Sequence, residues 1–307
     1  MAEKNGGASV SSDDTTKTNV VRGHVSREGV LSMVGTPIGN LDDASPRVLE
    51  TLRTADVVLC EDTRVTSKLL ARFDIRVPLM RCDQNVLTSR IEGTLHRVSA
   101  GERVAFVSDA GMPGVSDPGQ GLVDAALEEG LHVEVIPGPS AVTCALVASG
   151  LPMDHFFFGG FLPRKTGARV RRLGELAVIP GALVFYESPH RVAVTLASIA
   201  EVMPNRRVAL VRELTKLHEE VLRDVAPALA QCVADAEPVR GECVIVIEGP
   251  VEGESAPLAT STRMSLEEAI EQGLAAGEAK SRLAKRLARE YGRPRAEVYD
   301  LVVAQAG

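Results

Sequence analysis

VLSMVGTPIGNLDDASPRVLETLRTADVVLC, residues 30–60, sets two short apolar runs on either side of a segment with helical spacing. VLSMV (30–34) and DVVLC (56–60) have the length and continuous apolarity of buried strands. SPRVLETLRTA (45–55) places its apolar residues three and four apart, and Pro46 after Ser45 suits a first helical turn capped by that serine. Strand, helix, strand is the repeating unit of a parallel sheet. The same alternation continues through TRVTSKLLARF (63–73), RVAFVS (103–108), PGQGLVDAALEEG (118–130), HVEVIP (132–137) and SAVTCALVAS (140–149). It predicts an α/β domain over residues 29–150.

Outward from this block the character changes. Residues 1–28 are Ser, Thr, Asp, Lys and Gly with few large apolar groups, and predict a disordered tail. Residues 151–250 predict a second α/β domain. Its strand candidates are HFFFGGF, ALVFYES, RVALVREL, HEEVLRDV and ECVIVIEG, and its helices fall at 166–178, 189–202 and 225–235. Strands near 206–223 with no helix between them predict a mixed sheet. A Pro/Gly/Ser/Thr-rich linker over 251–263 leads to a helical segment, 264–307, with a three-helix reading around Gly277 and Pro294.

The chain has 307 residues, 34 basic against 41 acidic, for a net charge of −7. That balance excludes a protein basic over its whole surface, though not a local basic patch. No apolar run reaches the length of a membrane span, and the amino terminus lacks a signal-type apolar region, which predicts a cytoplasmic protein. Five cysteines form no CxxC pair and read as reduced core thiols; no His, Cys or carboxylate spacing predicts a metal.

The unusual residues follow predicted strands. GTPIGNL (35–41), EDTR (61–64), SDAGMPGVSDPG (108–119) and PGPSA (137–141) all do so in the first block, and GGFLPRK (159–165) and ESPHR (187–191) in the second. Ligands of open α/β sheets bind at the carboxyl ends of strands, so the pattern predicts a ligand cleft shared by two domains. SDAGMPGVSDPG carries three glycines, two prolines and two aspartates, more than a turn requires. Neither GxGxxG nor GxxxxGK(S/T) is present, so nicotinamide and P-loop chemistry lose their usual support. Glu61 and Asp62 read either as acid and base or as caps of the helix starting at Thr63. Arg64, Lys68 and Arg72 share one helical face, and Arg164, Lys165, Arg169, Arg171 and Arg172 precede the first acid, Glu175. Each run is either a solvated face or a polyanion contact.

GTPIGNLDD, CEDTRVTSKLL, VSDAGMPGVSDPG, IPGPSA, GGFLPRK, FYESPHR and GECVIVIEG, taken in order, resemble the tetrapyrrole methylase superfamily and, within it, the 16S rRNA (cytidine-2′-O)-methyltransferase family. The resemblance implies two α/β domains with a cofactor cleft between them and a small carboxyl-terminal helical domain. It also implies S-adenosyl-L-methionine as cofactor, 16S rRNA of the small ribosomal subunit as partner, and a homodimer. The reaction implied is methyl transfer to the ribose 2′-hydroxyl of a decoding-centre cytidine. By position it implies cofactor contacts at Pro37, Gly39, Asp109, Ala110, Gly111, Met112, Gly138, Ser140, Ala141 and Tyr186. Candidates for the base or an electrostatic role are Asp109, Glu61, Asp62 and Glu187; those for RNA binding are Arg64, Lys68, Arg164, Lys165 and Arg191. A small-molecule methyltransferase and a non-catalytic ribosome-assembly protein are the alternatives.

Overall fold

The structure, a computed structural model, describes residues 29–115, 119–250, 266–291 and 293–305. The expected tail (1–28) and linker (251–263) lie outside the described residues, as do residues 116–118 of the glycine-rich loop. The chain packs as two units that divide after Pro139.

The first unit is a five-stranded sheet. Its strands are β1 (Val30–Val34), β2 (Val57–Cys60), β3 (Leu79–Arg81), β4 (Arg103–Val107) and β5 (His132–Ile136), in the order β3-β2-β4-β1-β5 and all parallel. Four helices connect them: α1 (Pro46–Thr54), α2 (Thr63–Arg72), α3 (Leu87–Ser99) and α4 (Gln120–Glu128). Alternate residues of one strand feed opposite cores. Val104 and Phe106 of β4 join Leu95, Val98 and Leu122 on one face. Ala105 and Val107 join Val48, Leu52, Leu69 and Leu70 on the other. This period of two is why central parallel strands read as continuous apolar runs. Ser45 caps α1 as its sequence predicts, accepting from the Val48 N–H at 3.2 Å, with Pro46 in the first turn. The pattern reading omits β3 and α3. β3 has only three residues, and Gly93 and a largely polar composition blur the period of α3.

The second unit holds a mixed sheet of β6 (Phe156–Phe161), β7 (Ala182–Glu187), β8 (Arg207–Arg212), β9 (Glu220–Val225) and β10 (Cys243–Ile247), in the order β6-β7-β10-β8-β9. Only β6 and β7 run parallel; the remaining pairs are antiparallel. Helix α5 (Ala141–Ser149) packs on this sheet through Val142, Ala145 and Leu146, although the sequence pattern groups it with the first block. Its residues are apolar on every side, so nothing in their order says which sheet they cover. The opposite face carries α6 (Thr166–Leu176), α7 (Val192–Val202) and α8 (Ala226–Asp235). Further on, α9 (Leu266–Ala275), α10 (Lys280–Tyr291) and α11 (Arg295–Gln305) share a core of their own around Ile270, Leu283, Leu287, Val298 and Val302. No helix among the described residues is long and apolar enough to cross a membrane.

The core-thiol reading needs correction. Cys60, Cys82 and Cys243 are buried, but Cys144 is half-buried and Cys232 is exposed on α8. Burial pushes the Cys82 and Cys243 thiols up to about 11 and raises Cys60 as well. Thiolates are the reactive form, so these three resist alkylation at neutral pH. A maleimide at pH 7.5 is therefore expected to modify Cys232 first, and Cys60, Cys82 and Cys243 only in denaturant; peptide mass mapping checks the order.

Candidate functional site

In the first unit, four loops that follow strands interlock. The loops after β1 and β4 are zipped by two backbone bonds, Thr36 N–H to Gly111 O at 2.9 Å and Gly111 N–H to Thr36 O at 3.1 Å. The Thr36 hydroxyl adds a bond to Ser108 O at 3.2 Å. The loop after β5 joins through the Gly138 N–H, which donates to Met112 Sδ at 3.3 Å, and Gly35 N–H reaches Ile136 O at 2.9 Å. The loop after β2 is tied in by the Asp62 N–H, which donates to Asp109 Oδ1 at 3.0 Å. In return, Asp109 N–H faces Glu61 Oε1 at 3.4 Å.

Glycine makes this meeting possible. A Cβ on Gly35 would stand 2.6 Å from Gly138 N, and one on Gly138 would stand 2.6 Å from the Gly35 carbonyl. Gly111 has φ +85°, in the left-handed region that favours glycine. Pro37 and Ile38 are buried beneath the rim, while Gly39 and Ala110 are exposed on it. Of the residues singled out in the sequence, the unit thus brings together Pro37, Gly39, Glu61, Asp62, Asp109, Ala110, Gly111, Met112 and Gly138. Thr36 and Gly35, which complete the interlock, had only the glycine- and proline-rich loop to announce them. Cavities of about 520 Å³, bordered by Leu70, Ile75 and Pro78, and about 330 Å³, bordered by His155, Gly181 and Glu248, are formed by other residues.

The carboxylates of this rim are not equivalent. Asp62 caps α2, accepting from the Arg64 N–H at 2.8 Å and from Arg64 Nε at 3.0 Å. The Arg64 guanidinium holds the Asp62 carboxyl down at about 2. The cap reading is therefore satisfied for Asp62, and its affinity for a proton near neutral pH is small. Asp109 goes the other way. Partial loss of solvent, aided by the Asp62 charge, pushes its carboxyl above the usual range, against the lowering effect of the Asp62 N–H.

The cation runs divide as well. Arg64, Lys68 and Arg72 are all exposed on α2, but Arg64 is held by Asp62 and Arg72 pairs with Asp42 at 2.9 Å. In the second unit, Arg164 and Lys165 are exposed just before α6. Arg169 is not part of that surface. It is 2% exposed and donates to Ser198 Oγ at 2.9 Å, Arg164 O at 3.1 Å and Val194 O at 3.2 Å. It cross-links α6 to α7 from within.

Glu187 is also enclosed. Its oxygens accept from the Thr195 hydroxyl at 2.7 Å and the Ser188 N–H at 2.8 Å, and it pairs with Arg191 at 3.2 Å. Arg191 donates in addition to Leu162 O at 2.7 Å. Both charged groups are thereby engaged in holding the ESPHR turn. Tyr186 is half-buried, its ring edge-on to Phe158 at 4.9 Å. Ser140 and Ala141 begin α5, where the Ser140 hydroxyl makes no capping bond.

Residues 30–230 match the family model of the Tetrapyrrole (Corrin/Porphyrin) Methylases. The ribosomal RNA small subunit methyltransferase I of Mesorhizobium japonicum is 44% identical over 245 residues, 80% of this chain and 83% of that protein. Its namesake in Thermotoga maritima is 43% identical over 221 residues, 72% of this chain and 99% of its own. Among solved structures, the methyltransferase CobJ superposes with a TM-score of 0.56 at 23% identity, covering 75% of this chain and 98% of its own. A uroporphyrin-III C-methyltransferase of Thermus thermophilus, complexed with S-adenyl homocysteine, gives 0.52 at 20% identity, over 72% and 97%. At that level of identity the structures speak for the fold, while the sequence relatives speak for kinship. The chain belongs to the tetrapyrrole methylases, and among them to the ribosomal RNA small subunit methyltransferase I family.

Proposed function

We propose that this chain methylates the ribose 2′-hydroxyl of a decoding-centre cytidine in 16S ribosomal RNA, using S-adenosyl-L-methionine. The observation that carries the reading is the interlocked, glycine-built rim of the first unit, in a chain 44% identical over 245 residues to a protein named for small-subunit ribosomal RNA. The rim's chemistry fits such a cofactor. Gly39 and Ala110 leave main chain exposed along the rim, and half-buried Met112 supplies a soft apolar surface.

When bound, the cofactor supplies a methyl group already activated on a sulfonium, so the chain's own tasks are placement and proton removal. The rim loops are fastened to one another by the chain's own bonds, which lowers the ordering cost of binding. A ribose hydroxyl is a weak acid, and a carboxylate with a raised proton affinity accepts its proton better than one held near 2. Asp109 meets that requirement; Asp62 does not. Asp62 instead anchors Asp109 through its N–H and keeps Arg64 in place. Arg64, Lys68, Arg164 and Lys165, exposed on their own units, are the proposed phosphate contacts. The setting proposed is the cytoplasm, where small subunits mature, and the proposed assembly is a homodimer.

The direct test supplies labelled cofactor with small subunits from a strain lacking this protein, followed by nuclease mapping. Label on one cytidine ribose is expected; label on a base, or only on a small molecule, would sink the reading. Asp109→Asn keeps an oxygen for the Asp62 N–H but removes the basic carboxylate. Its methyl transfer is expected to fall about 100-fold or more, while calorimetric cofactor affinity changes by less than about threefold. Equal losses in both would remove Asp109 from the proton-accepting role.

A further inference from the structure

The three carboxyl-terminal helices are electrically neutral as a set, with seven cations and seven acids between residues 266 and 305. The charges are nevertheless sorted. Five of the cations, Lys280, Arg282, Lys285, Arg286 and Arg289, lie on α10, which has one acid, Glu290. Glu267, Glu268 and Glu271 lie exposed on α9.

Helical geometry concentrates the positive charge further. Leu283, Ala284, Leu287 and Ala288 of α10 are buried in the shared core. At 3.6 residues per turn, Arg282, Lys285, Arg286 and Arg289 fall together on the face opposite these four, and all are exposed. Arg286 is tied to Glu278 at 2.8 Å. Arg282, Lys285 and Arg289 form no ion pair among the described residues. Each of the pairs 282–285, 282–286, 285–289 and 286–289 sets like charges three or four residues apart, where they repel. A helix face designed only for solvation interleaves the two signs. This one keeps its repulsion, and a polyanion relieves it.

We infer that the exposed face of α10 is a docking surface for the phosphate backbone of RNA, with Arg282, Lys285 and Arg289 as its contacts. The inference rests on the reading that the substrate is ribosomal RNA. From Arg282 to Arg289 the helix advances about 10 Å, on the order of the axial reach of three nucleotides of a duplex strand. Among the described residues of α10, no aromatic or amide side chain shares the face, so the contact reads charge and shape and leaves choice of the methylated nucleotide to the rest of the chain. Helix α10 is then a grip on the substrate, with a role separate from that of the strand-end rim.

The experiment uses the full-length protein carrying Arg282→Gln, Lys285→Gln and Arg289→Gln together. Binding is measured to small subunits lacking the mark and to protein-free 16S RNA, across a salt series. Weaker binding is expected, with the slope of log K against log salt shallower by about two to three, one counterion-release increment for each cation removed. KM for the RNA is expected to rise about tenfold, with kcat and cofactor affinity unchanged. Arg282→Lys with Arg289→Lys should restore the wild-type slope, and Glu267→Gln with Glu271→Gln on α9 should not weaken binding. If the wild type methylates RNA and the triple variant keeps its slope and KM, the docking surface is refuted while the substrate reading stands. If the wild type neither binds nor methylates RNA, the substrate reading falls, and the docking surface with it. Loss of binding to subunits but not to protein-free RNA would assign the face to a ribosomal protein and overturn the proposal.

Discussion

Replacing Arg169 with methionine will lower the melting temperature by roughly 6–12 °C, corresponding to about 3 kcal/mol, and leave the salt dependence of RNA binding unchanged. The side chain is fully enclosed, and among the described residues no carboxylate pairs with it. Its partners are neutral acceptors: Ser198 Oγ, Arg164 O, Val194 O and Thr166 Oγ1 at 2.9–3.3 Å. Methionine fills much of the same volume, so the loss comes chiefly from carbonyls and hydroxyls stranded without a donor. Arg164→Ala with Lys165→Ala is expected to do the reverse, leaving the melting temperature in place and making the salt slope shallower. Calorimetric melting and filter binding separate the two. An Arg169→Met protein that melts like the wild type would show that water replaces the guanidinium without cost.

That contrast marks a boundary in what the sequence makes legible. A run of Arg and Lys across 164–172 looks uniform in composition, and nothing within it singles out position 169. The distinction comes from Val194 and Ser198 on α7, 25 and 29 residues further along. Local periodicity was sufficient for most strands, because alternating residues that feed two cores leave continuous apolar runs. It was insufficient for β3, whose Leu79 and Met80 are half-buried and whose Arg81 is exposed, and for the affiliation of α5. The rim was legible through its glycines and prolines. What stayed hidden was the pairing of Thr36 with Gly111 and the opposite proton affinities of Asp62 and Asp109. Both depend on which loops meet, and that is fixed by strand order.

Gly35→Ala is expected to cut methyl transfer and cofactor affinity by about 100-fold while leaving the circular dichroism spectrum that of a folded α/β protein. The added Cβ would stand 2.6 Å from Gly138 N and from Met112 Sδ, and 2.7 Å from Gly138 Cα. Two of those three are backbone atoms, which cannot rotate aside. The loops after β1 and β5 must therefore part, at a cost of about 1–3 kcal/mol in stability. A displacement approaching 1 Å at a reacting centre is worth about 100-fold in rate. Gly93→Ala is the matched control. Nothing lies within 4 Å of its added Cβ, and in the middle of α3 it should stabilise by about 0.5–1 kcal/mol. Normal turnover in Gly35→Ala would mean that the rim tolerates the separation and that its tight closure is not needed for catalysis.

The strand order of the second sheet carries a consequence for how the chain is made. β10, the last strand among the described residues, lies between β7 and β8 and pairs with both. Until residues 243–247 have left the ribosome, the parallel β6–β7 pair and the β8–β9 hairpin have no strand to join them. The strands described for the first unit have all been made by Ile136, so that unit can close while synthesis continues. The second must wait, its two half-sheets each exposing an unpaired edge, for a five-residue wedge delivered more than a hundred residues later.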